Sequence, residues 1–215
     1  MDGPKPIVHG DESLPYPAKT PGDHYSRTKI EAEKMMIAAN SPGLATCALR
    51  PAGMYGPRDR YHLGNILDMA RRGKYMRVGD RKARFTHVYS ENAAHAHLLA
   101  AERLFPGSPV AGQVYFVGDH YPAGNLFDFM EPYLGALGLP AGKRRIPYPL
   151  AYVAACVAEL VAPRSNLTRF SVAQTCVDHT YCHDRTVREF GYRPLVSEEE
   201  AFRRTLAYWK DKLAD

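Results

Sequence analysis

Two short apolar runs limit the folds open to this 215-residue chain more than any other feature. Residues 45–51 and 113–117 are mostly apolar and show no regular alternation of polar and apolar side chains. Such runs are typical of strands that are buried on both faces of a parallel sheet. The sequence therefore predicts parallel strands that are covered by helices on both sides.

Helical patterns separate these runs. Apolar spacing, capping residues and Gly or Pro stops predict helices at 23–40, 65–72, 90–104, 126–137, 147–162, 184–190 and 197–213. Further short strands are expected at 84–89 and 180–182. Residues 1–22 and 52–58 are rich in Gly and Pro and are expected to be loops.

Tyr25 and Lys29 lie one turn apart on the first predicted helix and share a face. A phenol beside an ammonium group loses its proton more readily, because the positive charge favours the phenolate. Such a pair can act as a general acid/base on an alcohol or ketone oxygen. Spacing alone also fits an ordinary amphipathic helix with a solvated lysine, so the pair needs support from the rest of the chain.

Composition favours an ordinary soluble globular protein, with 45% apolar and 24% charged residues. The net charge is +5, but no block of five like charges occurs, so no nucleic-acid partner is expected. The four cysteines have no disulfide pattern, which indicates reduced thiols and a cytoplasmic location. His179, Cys182 and His183, with Cys176 nearby, lack the paired spacing of a zinc site, so no metal is expected.

The most hydrophobic segment is 147–162, which follows Lys143, Arg144 and Arg145. It is shorter than the about 20 residues that span a bilayer and contains Glu159. We expect a helix that packs against the core or lines a pocket. Its basic flank makes peripheral membrane contact the alternative.

Several motifs occur in the order found in one known family. Together they resemble the extended short-chain dehydrogenases/reductases, and within them the branch of 3β-hydroxysteroid dehydrogenase/isomerases and sterol dehydrogenases. The resemblance covers nearly the whole chain. The motifs are Tyr-Ser-Arg-Thr-Lys at 25–29, Leu-Arg-Pro at 49–51, Met-Tyr-Gly-Pro-Arg at 54–58, Phe-Thr-His-Val at 85–88, Asn-Ala-Ala-His-Ala-His at 92–97 and Phe-Gly-Tyr-Arg-Pro at 190–194.

The resemblance implies a single α/β unit, 1–215. This unit is the carboxyl-terminal portion of a Rossmann-like, doubly wound parallel sheet with a mostly helical substrate-binding region, mainly 57–84 and 121–215. It also implies oxidation of a secondary alcohol by hydride transfer to NAD, or to NADP. The implied substrate is a small apolar molecule of the steroid or sterol type.

The resemblance also implies roles for individual residues. Tyr25 would be the catalytic acid/base, and Lys29 would assist it and hold the nicotinamide ribose. The loop that borders the nicotinamide would be Pro51, Ala52, Gly53 and Met54. The residues expected to contact the substrate are Tyr55, Arg84 and His87.

Two family features have no counterpart in the sequence. No Gly-x-Gly-x-x-Gly turn for a pyrophosphate is present, and only 24 residues precede Tyr25. In the family, a Ser or Thr precedes the loop that corresponds to Asp11 and Glu12. No such residue is found at that place in this sequence. The dinucleotide-binding half is therefore expected to lie outside this sequence.

These departures leave three hypotheses. The chain is part of a sterol-type dehydrogenase, completed by further sequence or by a separate amino-terminal half, and homodimerisation is an additional expectation. Alternatively, it is a non-catalytic binding module derived from that fold. The third hypothesis is a nucleotide-sugar epimerase/dehydratase or a dihydroflavonol-type reductase, since these share the Tyr/Lys pair and the Arg-Pro loop.

Overall fold

A computed structural model of the protein describes residues 5–17, 24–141, 144–161 and 167–214. Within these residues the chain forms eight helices and eight strands. The helices are α1 (His24–Ala38), α2 (Leu63–Arg71), α3 (Ser90–Arg103), α4 (Leu126–Ala136), α5 (Tyr148–Val161), α6 (Arg169–Cys176), α7 (Asp184–Phe190) and α8 (Glu198–Ala214). The strands are β1 (Ile7–Gly10), β2 (Ala48–Pro51), β3 (Gly53–Tyr55), β4 (Arg77–Val78), β5 (His87–Tyr89), β6 (Val114–Val117), β7 (Arg145–Ile146) and β8 (His179–Tyr181).

Every strand pair among the described residues is parallel. The pairs are β1 with β8, β2 with β6, β3 with β5 and β4 with β7. β2 and β6 run in register from Ala48 opposite Val114 to Pro51 opposite Val117. This arrangement confirms the predicted α/β fold with parallel strands, and it brings the carboxyl ends of β2 and β6 to the same edge.

Two apolar clusters form most of the core. One joins β5, β6, α3 and α7, and its fully buried residues include Val88, Ala96, Tyr115, Val117 and Phe190. The other joins α2, α4 and α8, and includes Leu63, Leu67, Met130, Leu134 and Trp209. The helical α2–α4–α8 region therefore packs as one block at the side of the parallel strands.

A buried carboxylate, Asp119, connects three parts of the fold just after β6. Its oxygens accept hydrogen bonds from the backbone N–H of Tyr89 and from Nδ2 of Asn92, both at 2.8 Å. The Asn92 amide in turn donates to the carbonyl oxygen of Val196 at 3.1 Å and accepts from its N–H at 2.9 Å. Burial raises the pKa of Asp119 to about 6. The network thus ties β5, α3 and the segment before α8 to the end of β6.

Five elements differ from the sequence-based expectation, and two of them are the short strands β4 and β7, which pair with each other. β1 lies in a predicted loop, and it is a strand because Ile7 pairs with His179, 172 residues away. β3 lies in the predicted loop 52–58, where Gly53 pairs with His87. α6 lies in a stretch for which we predicted no element, and a reciprocal pair of hydrogen bonds between Thr168 and Ser171 begins it. Each depends on a tertiary partner or a cap that hydrophobic periodicity does not reveal.

The predicted helix boundaries agree closely where they can be compared. α1 ends two residues before the predicted Asn40, and α2 begins two residues before the predicted start at 65. The predicted first residue of α1, Asp23, and much of the predicted loop 1–22 lie outside the described residues. Lys143, the first of the three basic residues at 143–145, also lies outside the described residues.

Helix α1 is held to the sheet mainly by polar contacts, because none of its residues is buried. Glu33 accepts two hydrogen bonds from the Arg50 guanidinium, at 2.9 and 2.6 Å, and a third from the Tyr16 hydroxyl at 2.7 Å. The guanidinium lowers the pKa of Glu33 against the opposing effect of burial. Farther along the helix, Thr46 Oγ1 donates to the carbonyl oxygen of Met36 at 2.6 Å.

Replacing Glu33 is expected to loosen α1 without unfolding the core. Glu33→Ala leaves the half-buried Arg50 guanidinium without its partner, which costs roughly 1–3 kcal/mol. Amide hydrogen exchange in 24–38 should therefore accelerate by at least about fivefold, while exchange in 114–117 stays unchanged. Glu31→Ala is the matched control, because Glu31 pairs only with Lys34 on the exposed surface of the same helix. Equal exchange in the two variants would show that the Glu33 contacts do not hold α1.

Candidate active site

Helix α1 runs antiparallel to β2, which places its first turn at the carboxyl end of the strand. Met36 contacts Thr46 ahead of β2, whereas Glu33 contacts Arg50 near its end. Tyr25 lies eight residues before Glu33, or about 12 Å farther along the helix at 1.5 Å per residue. The Tyr25 side chain is 71% exposed, and Lys29 Nζ lies 5.7 Å from the centroid of its ring. Tyr25 and Lys29 therefore lie beyond the carboxyl edge of the strands, and their acid/base role stays a prediction.

The predicted nicotinamide loop forms the passage from β2 into β3. Ala52 donates its N–H to the carbonyl oxygen of Val117 at 2.8 Å, and Gly53 donates to that of Thr86 at 3.2 Å. A side chain at Gly53 would place a Cβ 3.2 Å from Nδ1 of His87. Glycine therefore allows β3 to approach β5 closely at this position.

A cavity of about 750 Å³ opens at this edge. Six of the predicted site residues line it, namely Pro51, Ala52, Gly53, Met54, Tyr55 and His87. The other aromatic and aliphatic walls come from Tyr61, Ile66, Met69, Phe85, Phe116, Leu126, Met130 and Tyr181. A cavity of this size, with mostly apolar walls and a few polar groups, is suited to a small organic ligand.

Three predicted site residues do not line this cavity. Tyr25 and Lys29 belong to the exposed first turns of α1. Arg84 is exposed, and its backbone is engaged by β8, because its N–H donates to Asp178 at 2.7 Å and its carbonyl accepts from His179 at 2.8 Å. The structure therefore groups the loop with the predicted substrate contacts Tyr55 and His87, and the roles of the other three stay predictions.

His87 supplies an unpaired polar atom to the cavity wall. Its ring stacks on Phe129 with centroids 4.2 Å apart and meets the edge of Tyr55 at 6.3 Å. Its Nε2 is fully buried and has no hydrogen-bond partner among the described residues. Burial, with a smaller contribution from His62, lowers the pKa of His87 to about 4. The imidazole is therefore neutral near pH 7.

Tyr55 is a rigid, protonated part of the same wall. Its hydroxyl lies 3.5 Å from the Asp119 carboxylate, and its ring packs edge-on against Phe129 at 4.8 Å. Burial raises the pKa of Tyr55 far above its ordinary value, with a further contribution from Asp119. A phenol held in this way does not exchange protons readily near neutral pH, so it does not compete with Tyr25 for an acid/base role.

Asp119 and Phe129 lie outside the sequence motifs, and Arg50 and Asn92 lie within motifs but had no predicted role. Asp119 could have been suspected, because it is an acidic residue two positions after the buried run 113–117. Phe129 gave no comparable signal, since one aromatic residue on a helix is usually a core residue. The zinc candidates do not gather either: across the described ranges no three His, Cys, Asp or Glu side chains are placed to hold a metal ion.

Comparisons with known proteins find related sequences and related folds. The sequence profile of the 3-beta hydroxysteroid dehydrogenase/isomerase family matches residues 2–150. The chain is 39% identical over 209 residues to short-chain dehydrogenase/reductase family 42E member 1 of Bos taurus, covering 88% of this chain and 53% of that protein. It is 37% identical over 189 residues to 2-alkyl-3-oxoalkanoate reductase of Stenotrophomonas maltophilia (strain K279a), covering 85% and 57%.

A third relative is sterol-4-alpha-carboxylate 3-dehydrogenase, decarboxylating, of Mus musculus. It is 34% identical over 211 residues, which cover 93% of this chain and 58% of that protein. The chain thus spans little more than half the length of the curated relatives that it matches.

Solved structures show the same fold at lower sequence identity. The structure of gox2253 superposes with a TM-score of 0.70 at 23% identity, covering 95% of this chain and 61% of that one. A UDP-galactose 4-epimerase superposes with a TM-score of 0.66 at 20% identity, covering 96% and 59%. Rossmann-type epimerases and dehydratases therefore share the architecture of this chain.

The buried imidazole of His87 is expected to make stability depend on pH. Above about pH 6.5 the residue is neutral in both the folded and the unfolded chain. As the pH falls toward 4, only the unfolded chain takes up the proton, so the stability present above pH 6.5 is lost, by at most about 3 kcal/mol. His87→Gln retains a polar end without titrating and should lose less stability on acidification.

Urea unfolding at pH 7.5 and pH 5.0 measures this difference. The wild type should lose about 2 kcal/mol more than His87→Gln between the two conditions. His97→Gln, which changes an exposed histidine on α3, is the control and should behave like the wild type. Identical losses in His87→Gln and the wild type would contradict a buried neutral His87.

Proposed function

The chain belongs to the 3-beta hydroxysteroid dehydrogenase/isomerase family, and we propose that it serves an NAD(P)-dependent oxidoreductase that acts on a secondary alcohol or ketone. The substrate is a small apolar molecule of the steroid or sterol type. The observation that carries the proposal is the cavity of about 750 Å³, which lies at the carboxyl ends of parallel strands. In open α/β sheets this edge is where ligands bind.

The described residues fit the nicotinamide end of a dinucleotide. Pro51, Ala52, Gly53 and Met54 line the cavity where β2 passes into β3, and Gly53 allows a close approach of the backbone. The turn that would receive the pyrophosphate is not in the sequence. In this proposal that end is held by sequence corresponding to the part of the relatives that the chain does not span.

Tyr25 is the proposed acid/base. In the oxidative direction its phenolate oxygen takes the proton of the substrate hydroxyl while the carbonyl forms. Lys29 is one turn away, with its Nζ 5.7 Å from the centroid of the Tyr25 ring. When bound, the nicotinamide accepts the hydride in this direction and donates it in the other.

The neutral His87 and the apolar walls position the substrate. Phe129 and Tyr55 hold the uncharged imidazole from two sides, so this part of the wall is fixed before a ligand binds. Such a site favours a ligand with an apolar skeleton.

The names of two relatives support an apolar substrate over a sugar nucleotide. The mouse relative is named for a sterol carboxylate and the Stenotrophomonas relative for an alkyl-substituted oxoalkanoate. The solved structures include epimerases, and they support the fold alone. A nucleotide-sugar epimerase/dehydratase therefore stays the second candidate, with a dihydroflavonol-type reductase and a non-catalytic binding module as further alternatives.

Partners other than the substrate are also proposals. A homodimer or a complementing amino-terminal half would cover α1, on which Tyr25, Met35 and Met36 are exposed. Peripheral membrane contact is assigned to 147–162. The expected location is cytoplasmic.

Removing the Tyr25 hydroxyl is expected to abolish most turnover. Tyr25→Phe and Lys29→Met should each lower kcat by at least about a hundredfold, the usual range for loss of general acid/base catalysis. The loss should fall mainly on kcat, because the Tyr25 hydroxyl is needed in the proton-transfer step itself. The chain is assayed alone and together with the amino-terminal half of a matched relative, by following nicotinamide absorbance.

Lys34→Met is the control for Lys29→Met, since Lys34 is an exposed lysine on the same helix. Unchanged kcat in Tyr25→Phe would reject Tyr25 as the acid/base. If neither preparation turns over a substrate and calorimetry detects no NAD binding, the non-catalytic module is the better account.

The substrate class is tested by comparing turnover of two substrates. A 3β-hydroxysteroid and a UDP-sugar are offered separately with NAD. The proposal predicts turnover of the steroid with kcat/KM at least about a hundredfold higher, since buried polar groups and apolar walls penalise the wrong ligand strongly. Turnover of the UDP-sugar alone would establish the second candidate.

A further inference from the structure

A second cavity, of about 390 Å³, lies between α4 and α8, and its volume is in the range of sites for small ligands. We call it the α4–α8 groove. Neighbouring rings along it are in contact, with centroids between 4.6 and 6.1 Å apart. The groove therefore has a continuous aromatic surface, which is built from four side chains: Tyr55, Phe129, Tyr133 and Phe202.

Exposed carboxylates border these rings. Asp128, Glu198 and Glu199 line the same groove. Asp128 is engaged by Arg81, whereas no lysine, arginine or histidine within the described part of the chain forms an ion pair with Glu198 or Glu199. The arginines one turn farther along α8 bond to Glu200 instead. The groove thus combines an aromatic surface with two negative charges that are not neutralised.

The charge of Glu198 acts on the buried end of the groove. Burial raises the pKa of Asp119, Tyr55 and Tyr133, and the negative charge of Glu198 raises the pKa of each of them further. The groups that bond to Asp119 are the Tyr89 N–H, the Asn92 amide and the Tyr55 hydroxyl, and all of them are neutral. A cation in the groove would therefore offset the repulsion between the two carboxylates.

This combination is suited to an organic cation. The faces of aromatic rings attract a positive charge within about 6 Å, and quaternary ammonium groups are bound by aromatic cages in this way. A metal ion fits less well, because rings supply no oxygen ligands and no three metal-ligating side chains come together in the described ranges. We propose that the α4–α8 groove binds a small alkylammonium ion, with its alkyl groups against Phe129, Tyr133 and Phe202 and its charge beside Glu198 and Glu199.

The groove lies back to back with the larger cavity. Tyr55 lines both, and Phe129 stacks on His87 of the larger cavity with ring centroids 4.2 Å apart. The nicotinamide loop lines the larger cavity alone. The proposed cation site is therefore separate from the proposed substrate site, and one layer of aromatic rings divides the two.

Isothermal titration with choline tests the proposal in the absence of steroid and nicotinamide. Choline is expected to bind the purified chain with a Kd of about 1 mM or lower. Its uncharged isostere, 3,3-dimethylbutan-1-ol, should bind at least about tenfold more weakly, because it lacks the attraction to the rings and carboxylates. Equal binding of the two compounds, or no binding of choline, would overturn the proposal.

Variants locate the bound cation. Glu198→Gln/Glu199→Gln keeps the shape of the rim and removes two charges, so choline should bind at least about tenfold more weakly. Phe202→Leu replaces one ring by an aliphatic side chain and should weaken binding about fivefold. Glu200→Gln is the matched control, because Glu200 belongs to the same turn of α8 but does not line the groove, and its binding should stay within about twofold of the wild type.

Circular dichroism checks that each variant is folded. Unchanged choline binding in the double variant would overturn the assignment to the groove. An equal loss in the double variant and in Glu200→Gln would also overturn it, since general negative charge would then be the cause. Because the readout needs no turnover, its failure leaves the dehydrogenase proposal intact, and the reverse also holds.

Discussion

The site depends on a buried carboxylate that needs hydrogen-bond donors. Asp119 is 2% exposed and lies at the end of β6, where burial of its charge is costly without partners. The backbone N–H of Tyr89 and the side-chain amide of Asn92 are these donors. The Asn92 side chain also accepts a hydrogen bond from the backbone N–H of Val196. The carboxyl edge of the strands is thereby fixed against α3 and the segment before α8. Tyr55 lies against the same carboxylate, so one wall of the cavity is part of this network.

The two halves of the proposed site are held by different physical means. The cavity wall is built from buried aromatic rings and paired strands, and it positions His87 by packing alone. Tyr25 and Lys29 lie on a helix without buried residues, which the Glu33–Arg50 ion pair joins to β2. The substrate side is therefore rigid in this chain. The helix that carries Tyr25 and Lys29 is held by an ion pair, and its exposed apolar residues are available to contact a partner.

Local patterns predicted the elements that are autonomous or fully buried. The run at 113–117 became β6, and the capped, Ala-rich pattern after Ser90 became α3. Periodicity missed β1, β3, β4, β7 and α6, since each owes its conformation to a distant partner or to an unusual cap. For the site, the motifs indicated the nicotinamide loop, Tyr55 and His87, which the structure groups around one cavity. They did not indicate Asp119 or Phe129, because their roles arise from contacts between elements far apart in sequence.

In the proposed reaction, a hydride leaves a carbinol carbon of an apolar alcohol bound in this cavity. A 3β-hydroxysteroid that carries deuterium on C3 tests it most directly, with NAD and mass spectrometry of the nicotinamide product. If the hydride comes from C3, the deuterium is expected in the released reduced nicotinamide, and deuteration is expected to slow turnover. Deuterium that stays on the steroid, or a product formed without released reduced nicotinamide, would contradict it.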